Sequence, residues 1–188
     1  MNEVIQAAAE LQAVCESEQW QFCFIGGLAL QRWGEPRETV DVDLSLLTGF
    51  GNESPFIHKL LKHFAGRIPN AARFAEEHRV LLLRSSQGVG LDVALAALPF
   101  EALAIQRASY FEYPPNIRLR TCSAEDLLVL KAFAGRGQDW VDIERIIVRQ
   151  TGKLDWDHIH EQLAPLAELK DSPQILEELE RRRREFEQ

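Results

Sequence analysis

Residues 21–47 read QFCFIGGLALQRWGEPRETVDVDLSLL, and the fold turns on how this stretch is parsed. Phe22-Cys23-Phe24-Ile25 is short, aromatic and β-branched, which predicts a buried strand, and Gly26-Gly27 closes it in a tight turn. Leu28 to Trp33 follow as a short helix, broken by Gly34-Glu35-Pro36-Arg37-Glu38. Thr39 to Leu47 then alternate in polarity, as a half-buried strand does. Side chains alternate across a strand, so Asp41 and Asp43 share one face, about 6.6–7 Å apart. Val42, Leu44 and Leu46 take the other face, and burying that row turns both carboxylates into a cleft. Two like charges this close repel and raise one pKa unless a divalent cation neutralises them, and oxygen-only ligands suit Mg2+ or Mn2+. A DxD by itself also arises as plain alternation on an exposed edge strand.

A third acid narrows the reading. In Leu91-Asp92-Val93-Ala94-Leu95 the aspartate alone is charged among apolar neighbours. An uncompensated carboxylate in such a strand is strongly unfavourable, which leaves two solutions: a metal shared with Asp41 and Asp43, or an ion pair with Arg79 or Arg84. Gly26-Gly27 sits where side-chain-free backbone lets amide N–H groups approach a triphosphate, although such a pair also serves as a simple turn. Its spacing is neither the dinucleotide fingerprint nor a Walker loop.

Outward from this centre the chain opens with Val4, Ile5, Ala8, Leu11, Val14 and Cys15 at helical spacing behind Asn2, a good cap, and this helix ends before Trp20. Ser54-Pro55 starts a helix with the stripe Phe56, Ile57, Leu60, Leu61 and Phe64, ending near Gly66. Two strands, 78–84 and 91–96, flank a turn-rich hairpin loop, and a helix over 99–107 leads to short strands around Tyr110 and Ile117. Ser123 caps a helix with Asp126 at the capping-box position. Helices follow over 124–134, 138–149, 156–163 and 173–186, with Gly152 and Pro165 as punctuation. The expected class is α+β: a small mixed β-sheet with flanking helices, then a C-terminal helical region. The expected division is a catalytic core over 1–120 and a helical region over 121–188 packed on it.

Gly26-Gly27-Leu28-Ala29-Leu30 with Arg37, Thr39, Asp41 and Asp43 resembles the polymerase-β-type nucleotidyltransferase superfamily, and within it the AbiEii-like nucleotidyltransferase toxins. The likeness continues through Ser123-Ala124-Glu125-Asp126-Leu127, Lys131, Arg136, Asp139 and Asp142, and spans roughly Gly26 to Ile147. The resemblance implies a nucleotidyltransferase fold and transfer of an NMP from an NTP to a hydroxyl acceptor such as tRNA or another RNA. It implies that Asp41 and Asp43 bind Mg2+ or Mn2+, and that Asp92 joins them and assists deprotonation of the acceptor. The glycine turn would hold the triphosphate, Arg37, Thr39, Arg136 and Asp139 would belong to the nucleotide site, and Lys131 would steady the phosphates as a point charge. A cognate antitoxin protein is the implied partner. Lys131 also reads as a solvated helix lysine and Asp139 as a simple cap. Two other functions stay open: a catalytically silent nucleotide- or partner-binding module of the same fold, and a nucleotidyltransferase acting on a small molecule such as an antibiotic.

Composition sets the outer bounds. The chain of 188 residues is 46% hydrophobic and 27% charged, ordinary for a soluble protein, and holds no apolar run long enough for a bilayer. No secretory signal opens it, so the expected compartment is the cytoplasm. A net charge of −8 argues against a broad surface that holds duplex by phosphate neutralisation alone. Cys15, Cys23 and Cys122 are odd in number and lack CxxC spacing, which fits buried thiols. His158 and His160, two apart on a helix, do not face together, and Arg181 to Arg184 lie among glutamates as a solvated mixed-charge helix does.

Overall fold

The elements run α1 (Asn2–Ser17), β1 (Phe22–Phe24), α2 (Gly26–Trp33), β2 (Asp41–Leu47), α3 (Glu53–His63), β3 (Ala65–Gly66), α4 (Ala71–His78), β4 (Val80–Arg84), β5 (Gly90–Ala96), α5 (Pro99–Arg107), β6 (Ser109–Tyr113) and β7 (Ile117–Thr121). Four helices follow: α6 (Ala124–Ala134), α7 (Gly137–Arg149), α8 (Trp156–Leu169) and α9 (Gln174–Phe186). The structure is a computed structural model that describes residues 2–187, the side chain of Asn2 excepted, so the cap expected there lies outside the described residues. Its contacts divide it into two units, one of Met1–Leu28 with Glu38–Cys122 and one of Ala29–Arg37 with Ser123–Gln188.

The first unit is built on a mixed sheet of order β3-β4-β5-β2-β1-β7-β6. β2 lies parallel to β5 and β1 parallel to β7, while the remaining neighbours are antiparallel. Of the stretch read as an alternating strand from Thr39 to Leu47, Asp41–Leu47 is strand: Val42, Leu44 and Leu46 are fully buried and Asp41 and Asp43 are half-buried, while the polar Ser45 is buried as well. One apolar cluster joins that row to Leu81, Leu83, Leu91 and Val93 of neighbouring strands, to Ile5, Ala8 and Leu11 of α1, and to Ile57 and Leu60 of α3. Cys15, Cys23 and Cys122 are buried and form no disulfide, and burial pushes the Cys15 thiol up to about 12, which makes it inert.

In the second unit α6 to α9 assemble around Leu127, Leu128, Ile143, Ile146, Ile159, Leu163 and Leu179, all buried. Ala29–Arg37 is held there by backbone acceptors: Gln150 Nε2 donates to Trp33 O at 2.9 Å, and Arg149 Nη1 donates to Gly34 O. Ser123 caps α6 as its sequence predicts, accepting from the Asp126 amide at 3.1 Å. The first unit also supplies the α+β character expected, and the second the helical C-terminus.

The structure departs from expectation at α3, α4, β4 and α8, and the short β3 stands where the helix starting at Ser54 was expected to end. α4 stands where only a connection was read, because the small residues Ala71 and Ala75, one helical turn apart, are its only buried positions and give a weak apolar stripe. Arg79 then stops α4 in the left-handed region, with its amide donating to Ala75 O at 2.8 Å, so β4 begins at Val80 instead of His78. α8 does not stop before Pro165 but runs through it to Leu169. Pro165 and Glu161, the residue whose carbonyl it leaves without a donor, are both exposed, while Leu163, Leu166 and Ala167 keep the buried face continuous. α3 starts at Glu53, with Asn52 as its cap position in place of Ser54.

Candidate active site

The site in the sheet unit follows from strand register. Asp43 of β2 is the direct partner of Asp92 of β5, and Asp41 is the partner of Gly90. Paired residues of parallel strands share a face, so Asp43 and Asp92 stand side by side and Asp41 lies two residues along on the same side. The turn after β1 closes over them. Ile25 N donates to Asp43 O at 3.0 Å, and Gly26 follows with φ +56°. A Cβ on Gly26 would stand 2.0 Å from Asp43 Oδ2, so glycine is required both by the backbone and by the carboxylate against it. Gly27 is equally confined, since a Cβ there would lie 2.4 Å from Thr39 Oγ1. Thr39 in turn donates to Asp41, with Oγ1 at 3.3 Å from Oδ1. The two glycines therefore press the start of α2 against the acids and the threonine.

Asp92 has a cationic neighbour that the sequence did not reveal. Arg67 Nη2 lies 2.7 Å from Asp92 Oδ1, with both side chains 28% exposed. The candidates read from sequence are engaged elsewhere: Arg79 pairs with Glu53 and donates to Gly49 O at 3.2 Å, and Arg84 Nη1 reaches Gly88 O at 3.5 Å. Register explains this, because Asp92 faces Leu82 in β4 while Arg84 lies beside Gly90 at the hairpin end. The ion pair is short but poorly aligned: Asp92 Oδ1 is buried and accepts no hydrogen bond of good geometry. Burial pushes the Asp92 carboxyl up, Arg67 pulls it down and Asp41 pushes it up again, leaving it above the ordinary carboxylate value.

The other expected site residues meet in the helical unit. Lys131 Nζ is 2.6 Å from Asp142 Oδ2 and 3.4 Å from Asp139 Oδ1, and its side chain is 7% exposed. Arg37 grips Asp142 through two bonds, Nε to Oδ1 at 3.1 Å and Nη2 to Oδ2 at 3.2 Å, and Gln138 Nε2 adds a third at 3.1 Å. Arg136 Nε donates to Asp139 Oδ2 at 2.7 Å while most of the guanidinium-bearing side chain stays exposed. Lys131 is thus a buried, paired lysine, and Asp139, three residues after the cap position Arg136, accepts from the Arg136 amide at 3.3 Å as well as sharing in this network. Gln138 was not foreseen, since glutamine at a helix start carries no pattern of its own.

His158 and His160 go to different partners, Asp126 at 2.8 Å and Glu180 at 3.6 Å. The arginine run is self-neutralised, with Arg181 on Glu178 and Glu185, Arg182 on Glu144 and Glu178, and Arg184 on Glu180. Among the described residues no three histidine, cysteine, aspartate or glutamate side chains are so placed that they share an ion as they stand. The oxygen-only donors, the register pairing of Asp43 with Asp92 and the unsatisfied Asp92 Oδ1 nevertheless fit a hard divalent cation.

A mixed sheet with these acids beside a glycine turn, followed by helices, is the arrangement expected of a nucleotidyltransferase fold. A crystal structure of an antigenic nucleotidyltransferase-like protein from Paracoccidioides brasiliensis matches it with a TM-score of 0.51 at 18% identity, covering 96% of this chain and 93% of that one. A crystal structure of ANT(2")-Ia in complex with adenylyl-2"-tobramycin gives a TM-score of 0.47 at 16% identity, covering 99% of each chain. A search of curated proteins finds no match. The family model described as "Nucleotidyl transferase AbiEii toxin, Type IV TA system" matches residues 11–187, and the chain belongs to this family. It is accordingly a nucleotidyltransferase, and its family implies a nucleotide substrate and an antitoxin partner. No described helix is long and apolar enough to cross a membrane.

Proposed function

We propose that the chain transfers an NMP from an NTP to a hydroxyl of tRNA or another RNA, as the cytoplasmic toxin of a toxin-antitoxin pair. The acceptor oxygen bonds to the α-phosphorus, the bond to the β-phosphate oxygen breaks, and pyrophosphate leaves with that electron pair while the hydroxyl proton passes to a base. The observation that carries this reading is the side-by-side register of Asp43 and Asp92 with Asp41 on the same face. These three carboxylates would hold Mg2+ or Mn2+, which when bound lowers the pKa of the acceptor hydroxyl and offsets triphosphate charge. Asp92 would also assist removal of the acceptor proton. Gly26 and Gly27 would bring the α2 amides to the triphosphate, with Thr39 fixing Asp41 beneath them. Arg37, Lys131, Arg136 and Asp139 are proposed as further nucleotide-binding residues on the strength of the family pattern, and residues 1–120 as the catalytic core.

The test is incorporation of labelled NTPs into tRNA and total RNA with Mg2+, comparing wild type with Asp41→Asn and Asp43→Asn. Each substitution should reduce incorporation about a thousandfold while the protein stays folded. Equal rates in wild type and variants would remove these residues from the chemistry. A second acceptor class, a small hydroxylated molecule, is favoured by the net charge of −8 and by the pairing of the arginine run with glutamates. Incorporation that appears only with small-molecule acceptors would select it.

A further inference from the structure

Asp92 is already next to a cation, and that cation belongs to the chain. Arg67 follows β3, and its amide donates to Leu82 O at 2.9 Å, which fixes its backbone against the β4 residue directly opposite Asp92. From there the guanidinium reaches over the start of β5. Nη2 stands 2.7 Å from Asp92 Oδ1, and a Cβ on Gly90 would lie 2.4 Å from Nη1. That same Cβ would be 3.8 Å from Asp41 Cβ, so Gly90 leaves open a space that Arg67 fills at the edge of the acidic face. Any other residue at position 90 would push the guanidinium off.

Two further observations say what the contact is for. An arginine placed to cement an acid usually makes a two-pronged hydrogen-bonded fork, as Arg37 does on Asp142. Arg67 makes no such fork, and Asp92 Oδ1 keeps its lone pairs without an aligned donor.

We infer that Arg67 is a built-in occupant of the cation position at Asp92, which a divalent ion must displace before Asp92 can serve as its ligand. The inference rests on the proposed function, because it takes these carboxylates to be the metal-binding set. Arg67 sets a threshold: metal alone competes with the guanidinium, whereas Mg2+ arriving with a triphosphate brings anionic oxygens to which the released arginine can move.

Mn2+ binding to the purified protein, followed by electron paramagnetic resonance of the free ion without nucleotide, tests this in wild type, Arg67→Gln and Arg67→Lys. Arg67→Gln should bind Mn2+ about tenfold more tightly than wild type, since a unit positive charge has left the site, with Arg67→Lys between them. In wild type, the Arg67 Nε–Hε nuclear magnetic resonance signal should shift on titration with Mg2+, a readout that needs no variant and stands if Arg67→Gln fails to fold. Equal or weaker Mn2+ binding by Arg67→Gln, or an Arg67 signal unmoved while wild type binds Mg2+, overturns the role of Arg67 and leaves the metal site standing. Loss of NTP affinity with unchanged Mn2+ affinity would make Arg67 a phosphate ligand and overturn it too. Absence of Mn2+ binding in wild type and both variants overturns the metal reading itself.

Discussion

Asp139 and Asp142 of the helical unit and Asp92 of the sheet unit live under opposite electrostatic conditions. In the helical unit Asp142 is fully buried yet answered by Lys131, Arg37 and Gln138, and Asp139 by Arg136 and Lys131. Burial pushes both carboxyls up, but hydrogen bonds from Arg37 and Lys131 to Asp142, and from Arg136 with the Lys131 charge to Asp139, outweigh it and hold both below the ordinary value. In the sheet unit Asp92 is only partly buried, yet its carboxyl lies above that value, because one misaligned arginine does not offset desolvation and the charge of Asp41. Burial does not decide which acids can do chemistry. The supply of donors does: a satisfied acid is fixed in place, and an undersupplied one is open to another cation.

Lys131 is the buried cation on which both helical-unit acids depend. Lys131→Met removes the charge common to Asp139 and Asp142 while keeping most of the volume, and leaves two buried carboxylates short of a partner. Urea unfolding should show a loss of about 3–5 kcal/mol. A loss below about 1 kcal/mol would mean that Arg37, Arg136 and Gln138 suffice without it.

A smaller effect is expected at Gly26, the glycine packed against Asp43. Gly26→Ala must hold φ at +56° and also displace the Asp43 carboxylate. The backbone part costs about 1–2 kcal/mol. Gly51→Ala is the control, because φ there is +77° with nothing within 4 Å of the added Cβ. Both should lose similar backbone stability, and only Gly26→Ala should also lose incorporation activity at temperatures where it stays folded. Equal activity in the two variants would show that Asp43 tolerates displacement.

The smallest effect carries the sharpest sign. The lowered Asp142 carboxyl stabilises the fold above the ordinary carboxylate pKa of about 3.9, and that stability is lost as pH falls through the lower folded value. For Asp92 the folded value is raised, so its contribution is greatest below the ordinary value and declines as pH rises through the raised one. Stability profiles of wild type minus Asp142→Asn and wild type minus Asp92→Asn should therefore slope in opposite directions with pH in the acid range. Parallel slopes would erase the distinction between the two groups.

What could be read from sequence depended on distance along the chain. The facing of Asp41 and Asp43 is fixed by alternation within one strand, and the Ser123 cap by a contact three residues long, so both are legible locally. That Asp92 needed a compensating charge was also legible from its apolar neighbours. Which charge supplies it was not, because Arg67 reaches it through β3, β4 and a hairpin, and the arginines closer in sequence point to other acceptors. The same limit hid Arg37 as the partner of Asp142, more than a hundred residues away. α4 escaped notice for a different reason, since two buried alanines make a poor periodic signal.

The discontinuity of the helical unit has a consequence for any attempt to divide the molecule. Ala29–Arg37 lies within the first third of the chain but clusters with Ser123–Gln188. A fragment beginning at Ser123 retains Asp142 and Lys131 but forfeits both Arg37 bonds, together with the Trp33 and Gly34 carbonyls on which Gln150 and Arg149 rest. A fragment ending at Cys122 keeps Arg37 and loses its acid. No single scission yields two self-sufficient pieces, so a nonsense mutation or proteolytic nick between the sheet and the helices removes more than the segment it releases.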